Sequence, residues 1–578
     1  MIQKLAGKRI VILGIMAVLL LLAGVFFFRT TAYGFYAVLK TSLFFFVLVF
    51  LYVLLTRGGR AVFRWAKVHR GRLIRVLLLE AALLFYMVFF VHKIKNELSL
   101  YHSAQMTLGI LVMELIAITF LLLEWKQVPI HRIYLILGVS LGVMFLFMQP
   151  VGTIPDEKGH LYTAYDVSNT MMGISRTPDG NVQMRSDDAA FRVRNTANRQ
   201  MTALYWEKID DPVQHEELLD TGRGTLDTQK YQYLLPAVGL TIGRLLHFGA
   251  AGTFFLGRLF NMLWFVLITA YAIKCLPFGK IVLTTVALMP MTLQQASSFS
   301  YDVFVNSTAF LLVAMTLRLA YEEEYAGGNA KRAGIRHGIH MAILLAACVL
   351  MVPLKGYAYA PLCFLPLLLV FKKWKESRKE ALVYLGMILV IIVVFVFQRV
   401  FPMLHYVSST PGTTAVSSGK QTYSLGYLRS LPYEWAYVLF NTSRNHGAFY
   451  LESMIGSPLG WLEKPLNTVL IYADVIILVF ASLRRKGEEQ IIGKRAKYWI
   501  QFVSWISVAF VFLGMLFAYS DVREHVIEGV QGRYFIPLAF PMLLTVRSPK
   551  IMAEKTIDGP LLSAALTIVF LVVQYLVP

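Results

Sequence analysis

Two adjacent acids and a histidine, Asp156, Glu157 and His160 in "PDEKGHLYTAYD" (residues 155–166), lie a short turn, "PVGTI", beyond the apolar run "LILGVSLGVMFLFMQ". A carboxylate at the exit of a membrane span can take a proton from a hydroxyl or hold a cation. Pro155 biases the chain toward a fixed turn, which keeps the next side chain at headgroup depth. Asp156 is therefore the candidate general base. Glu157 either shares that task or holds the hydroxyl, because like charges side by side resist ionising together and leave one working group. The alternative for both is a solvated turn of helix-capping acids. "DEKGH" also spells Glu-x-x-His, half of a metal site, but in one copy. His160 is read first as a hydrogen-bonding partner of a hydroxyl or a carboxylate.

Asp302 in "SSFSYDVFVNS" is a second acid at a helix end. It either caps the helix that follows or coordinates a substrate or cation across from Asp156. Arg533 in "QGRYF" and Lys355 in "PLKGY" are candidate clamps for a phosphate, and Arg258 and Arg444 are weaker ones of the same kind. Arg suits that work because its guanidinium pairs bidentately with oxyanions. Against it stands the ordinary habit of Lys and Arg at span ends, which is to snorkel to headgroups. Gly532 favours the clamp for Arg533, since a residue without a side chain permits close approach.

The elements that must position these residues are membrane helices. The chain has 578 residues, is 57% hydrophobic and has a mean hydropathy of +0.60, beyond the roughly 45–50% apolar content of soluble domains. The net charge of +21 comes in short bursts between apolar runs, such as "RGGRAVFRWAKVHRGRLIR" with seven Lys or Arg and no acid. That is the pattern of cytoplasmic loops rather than of nucleic-acid binding. The cysteines, Cys275, Cys348 and Cys363, lie in or beside apolar segments without ligand or disulfide spacing and read as packing residues. Runs of about 20 apolar residues place spans near 10–28, 36–55, 73–92, 104–123 and 132–149. More follow near 253–274, 281–297, 303–320, 338–354, 358–371, 380–400, 464–482, 498–519, 535–546 and 560–577. The first is an uncleaved anchor with a cytoplasmic N-terminus. Five spans from there put the segment after Gln149 outside, and residues 150–230 hold thirteen acids against nine Lys or Arg. Residues 231–248, broken by Pro236 and carrying Arg244, read as a helix on the outer surface. The result is an all-α polytopic membrane protein of about fifteen helices. Residues 1–130 form an accessory module of four spans, and 131–578 a second domain with extracytoplasmic loops 150–252 and 401–463. Within the module, Glu80 and Glu114 are costly in hydrocarbon, so they face each other or another helix and mark a partner interface.

The ordered motifs "PDE..H...AY", "Y...LP..G", "GRLFN" (257–261), "MP.........S.D", "LK...Y" (354–359), "G..LGW" and "QGRYF.P" resemble the bacterial membrane family of domain of unknown function 2142. The resemblance runs from Ile130 to Pro578. It implies a GT-C-like bundle and a glycosyltransferase that draws sugar from a polyprenyl phosphate and passes it, with inversion, to an extracytoplasmic cell-wall or surface glycan. On that reading Asp156 and Glu157 are catalytic, and Asp302 and His160 bind acceptor or cation. Arg533, Lys355 and Arg258 hold the donor phosphate, while Tyr231, Tyr357, Gln531 and Tyr534 line the substrate groove. Some relatives in the wider superfamily use a divalent cation, Mg or Mn, and others none, so the metal stays open. The expected location is the bacterial plasma membrane with the site outside. Two other classes stay open: a transporter or flippase of lipid-linked glycan, and a non-catalytic scaffold of an envelope-assembly complex. A transporter would place its polar groups near the midplane in broken helices, whereas these acids collect at one rim.

Overall fold

A computed structural model describes residues 128–191, 211–321, 330–400, 420–463, 468–485, 492–548 and 550–553, with isolated positions elsewhere. Apart from single residues, the four spans expected within 1–130, Glu80 and Glu114 included, lie outside the described residues. So does the span expected near 560–577, again apart from single residues.

The apolar runs fold as helices. Helix α1 (Ile130–Met148) leads through a turn into α2 (Glu157–Met171); α3 (Ser186–Ala190) and α4 (Leu234–Leu245) follow, then the long α5 (Ala250–Cys275). Next come α6 (Lys280–Ala287), α7 (Pro290–Ala296), α8 (Asp302–Tyr321), α9 (Ala330–Met351), α10 (Leu367–Glu376) and α11 (Arg378–Phe395). The last five are α12 (Leu425–Ser430), α13 (Pro432–Ile455), α14 (Thr468–Ser482), α15 (Lys494–Ala518) and α16 (Ile536–Thr545). Among the described residues five stretches are long and apolar enough to cross a bilayer: α5, α8, Ala333–Met351 within α9, Arg378–Gln398 and α15. Helices α1 and α14 contribute shorter apolar stretches. Helix α8 is the hub, with 89% of its apolar window buried, whereas α9 and Arg378–Gln398 bury 22% and turn their surfaces outward.

Two expected spans are interrupted, and proline is the cause both times. The run at 281–297 divides into α6 and α7 because Pro290 occupies the first turn of a new helix and cannot continue the old one. The run at 358–371 divides into a 3-10 turn, Ala360–Phe364, and α10, with Pro361 and Pro366 at their starts. Pro537 opens the ten-residue α16. Residues 231–248 form α4, too short to span, preceded by the 3-10 turn Lys230–Tyr233. Gly239 lets α4 lie directly on α5: a Cβ there would sit 2.4 Å from the Leu256 carbonyl oxygen.

Two cores result. The large one joins α1, α5, α8 and α16 through residues such as Leu141, Phe265, Phe310 and Phe540. A smaller one, with Tyr165, Tyr233, Phe254 and Phe299, lies under α2 and α4. It is topped by a two-stranded ribbon, Gln183–Arg185 paired antiparallel with Leu218–Asp220. Tyr165 donates to Asp188 at 2.7 Å, and Arg185 pairs with the same carboxylate at 2.8 Å, tying that cap together.

Candidate active site

At the end where α8 begins and α9 finishes, four charged side chains from four distant segments form a chain of alternating sign. Asp156 Oδ2 lies 3.1 Å from Arg533 Nη2, and Arg533 Nε lies 3.6 Å from Asp302 Oδ2. Asp302 Oδ1 lies 2.5 Å from Lys355 Nζ. The side chains of Arg533, Asp302 and Lys355 are buried or nearly so, at 4%, 6% and 11% exposed, while that of Asp156 is 60% exposed. Desolvated charges are tolerated when paired in this way. The chain therefore has one open end, and it is a carboxylate.

Local backbone geometry explains how each member is aimed. Asp156 stands at the N-cap position of α2 in a left-handed conformation (φ 66°), yet its side chain makes no capping bond. The capping alternative for Asp156 thus gives way to the Arg533 contact. Asp302 is not the cap of α8 either: the Ser300 hydroxyl accepts from the Asp302 amide at 3.2 Å, leaving the carboxylate to the two cations. Lys355, Gly356 and Tyr357 are consecutive left-handed residues (φ 46°, 61° and 71°). Such a run in non-glycine residues is strained and is found where a site demands it. It sets the Lys355 ammonium 3.8 Å from the centre of the Tyr534 ring and 5.3 Å from that of Tyr301, a cation–π setting. Arg533 rides on a 3-10 turn, Gly532–Phe535. A Cβ on Gly532 would lie 2.2 Å from both the Met454 amide nitrogen and the Tyr450 carbonyl oxygen of α13. The Gly532 amide instead donates to Ser453 Oγ at 2.9 Å.

His160, one turn after Asp156, is buried with Nδ1 2.7 Å from the Tyr233 hydroxyl and its ring edge-on to Tyr301. Burial pushes its imidazole down to about 4. Asp302 and Asp156 pull the other way, and Arg533 and Lys355 add to the lowering. His160 is accordingly a neutral hydrogen-bonding group at neutral pH.

Glu157 and Arg258 stand apart from this chain, and their sequence readings are corrected here. Glu157 is fully buried, its carboxylate accepting from the Gly152 amide at 2.7 Å and the Phe299 amide at 3.2 Å, with Arg258 Nε 3.6 Å away. Burial raises its carboxyl, against the pull of Arg258 and the backbone amides. Arg258, also fully buried, donates to the Ser297 carbonyl and the Gln149 carbonyl, each at 2.7 Å. Both are committed to partners inside the protein. Asn261, about one turn further along the same helix face, donates to the Ser298 and Ser300 carbonyls. "GRLFN" is therefore the brace that locks the turn carrying Asp156 to the turn carrying Asp302.

The remaining expected residues divide. Tyr534 joins the cluster, and its carbonyl accepts from Tyr359 at 2.7 Å. Gln531 precedes the Arg533 turn and lines a crevice beside it. Tyr231 and Tyr357 face outward, bonding the Leu350 and Gln398 carbonyls at 2.8 and 2.9 Å. Arg444 is exposed on α13. Sequence reasoning missed Tyr233, Tyr301 and Tyr359. Tyr301 adjoins Asp302, and Tyr233 stands in the same "YQYLLP" as Tyr231, so proximity to an already selected residue was the available signal. Among the described residues no three His, Cys, Asp or Glu side chains converge as metal ligands.

These helices, with a charged cluster at one end of an apolar bundle, define a multi-pass helical membrane protein. The chain belongs to the DUF2142 family of predicted membrane proteins, whose model matches residues 139–542. That interval holds the whole cluster and leaves residues 1–138 outside it. No curated protein and no solved structure matches the chain.

Proposed function

We propose that the cluster is the active centre of a membrane glycosyltransferase that moves a sugar from a polyprenyl phosphate to a surface glycan on the extracytoplasmic side. The observation that carries this reading is the solvent-open Asp156 carboxylate held 3.1 Å from a buried Arg533, in a charge chain that ends on Lys355. An apolar groove of about 230 Å³ supports it. Val352 and Ala360, which bracket the Lys355 turn in sequence, share that groove with Phe395, Trp499 and Phe510. A polyprenyl tail lying there brings its phosphate to the turn.

In the step proposed, Asp156 accepts the proton of an acceptor hydroxyl. The freed oxygen lone pair attacks the anomeric carbon from the face opposite the phosphate. The anomeric C–O bond breaks and its electron pair leaves on the lipid phosphate, where Arg533 and Lys355 balance the charge. Configuration at that carbon inverts. Asp302 positions both cations, and neutral His160 with Tyr233 and Tyr301 forms the wall behind them. The two carboxylates already face Arg533 and Lys355, so the residues present do not fit a divalent cation, and the step uses none. Helix-end placement of the cluster favours transfer over transport, which would put such groups at mid-span.

The test is a comparison of cell-surface glycans, by mass spectrometry, among the parent strain, a deletion strain and an Asp156→Asn strain. The reading expects the same sugar to be lost in both altered strains while the variant protein stays in the membrane. Identical glycans in Asp156→Asn and parent overturn it.

A further inference from the structure

Beside Arg533 lies a narrow crevice lined by Gln294, Gln295, Ser453, Leu462, Gln531 and Arg533 itself. Most of its polar atoms are committed. Gln294 Oε1 accepts from Gln149 at 2.8 Å and from the Gly460 amide at 2.9 Å. Ser453 Oγ accepts from Gly532 and donates to the Phe449 carbonyl. Gln295 and Gln531 differ. Gln295 is fully buried, its Nε2 meets only the Met291 sulfur at 3.6 Å, and its Oε1 has no hydrogen-bond partner. Gln531 Oε1 is buried without a partner as well. A buried carboxamide oxygen left unpaired is costly and calls for a reason. Water is not the reason here, because the crevice has no room for a water-sized sphere.

The cover is a loop that carries its own strain. Leu462 stands in a left-handed conformation (φ 61°) between Gly460 (φ 64°) and the start of α14. For a ligand to enter, Leu462 must swing aside, and Pro155, also in the wall, then borders the opening on the side of the Asp156 turn. What then enters meets carboxamides, which offer an acceptor and two donors in one plane and carry no charge. The nearby charges already cancel, two carboxylates against two cations. A polar but uncharged, hydroxyl-rich ring is the ligand these groups suit.

We infer that this crevice is the recognition subsite for the transferred sugar, and that the sugar is a neutral hexose whose hydroxyls bond Gln295 and Gln531. The inference rests on the transferase reading and adds the class of sugar to it. The test uses the full chain in lipid nanodiscs and measures binding of a polyprenyl phosphate, bare or carrying a neutral hexose, an amino sugar or a uronic acid. A neutral hexose is expected to tighten binding about tenfold over the bare lipid phosphate, the worth of one or two hydrogen bonds. Gln295→Leu and Gln531→Leu each remove that gain. If Gln295→Leu does not fold, Gln531→Leu at its half-buried position decides. The subsite is overturned if no neutral hexose tightens binding, if charged sugars gain as much, or if the gain survives the substitutions. If the bare lipid phosphate fails to bind, or binds Arg533→Ala as well as parent, the transferase reading itself fails and the subsite with it.

Discussion

Asp156 and Glu157 are neighbours in sequence with opposite surroundings, and substitution should separate them. Asp156 is mostly exposed and caps nothing, so Asp156→Asn is expected to leave the melting temperature near parent. Its transfer rate should fall about 10²- to 10⁴-fold, the usual worth of a positioned base; near-parent turnover of a purified lipid-linked donor would remove Asp156 from the mechanism. Glu157→Ala strands the buried Arg258 and two backbone amides. Breaking such a buried pair costs about 3–5 kcal/mol, so this variant should show a lowered thermal midpoint and reduced membrane yield. His160 supplies a pH signature. Its folded imidazole sits near 4 against an ordinary 6.5, so the unfolded chain binds the extra proton first as pH falls. Stability is expected to decline from about pH 6.5 toward about pH 4, and His160→Asn to decline less over that window; parallel pH–melting curves would contradict the buried, neutral imidazole. Residue type and motif order were enough to pick out Asp156, Asp302, Lys355, Arg533 and His160 from the sequence. They were not enough to separate Asp156 from Glu157, because burial is decided by Arg258, about a hundred residues downstream.

At the scale of elements, the site is made by turns rather than by helices. The Gly532–Phe535 turn seats on α13 so closely that no side chain fits at position 532. Gly532→Ala should therefore displace Arg533 and cost transfer at least as severely as Arg533→Ala, although it removes no charge. Retention of parental turnover by Gly532→Ala would show that the seating is not needed. The long spans were readable from apolar runs, with boundaries within a few residues for α5, α8 and α15. What the runs concealed was interruption. Hydropathy is blind to the missing amide of Pro290, which turns one expected span into α6 and α7. The same blindness hid the Lys355 turn, whose left-handed backbone follows from tertiary contacts with Tyr534 and Asp302 and has no local signature.

For the whole molecule, the sidedness of the cluster is the quantity to measure. Cys275, Cys348 and Cys363 are all buried and are the full complement of the sequence, so introduced cysteines can be read against a quiet background. Lys158 and Lys375 are both exposed, the first one turn from the cluster and the second at the far end of α10. In intact cells Lys158→Cys should react with a membrane-impermeant maleimide and Lys375→Cys only after lysis. The reverse pattern would deprive the reaction of its lipid-linked donor. The alternating ion chain carries one more implication, for the order of events. As it stands, Oδ2 of Asp156 is held by Arg533 while the rest of the carboxylate stays open to solvent. A phosphate arriving at Arg533 competes for that guanidinium and releases the oxygen. Donor binding thereby completes the base, and kinetics are expected to be ordered, with the lipid donor first and the acceptor alcohol second.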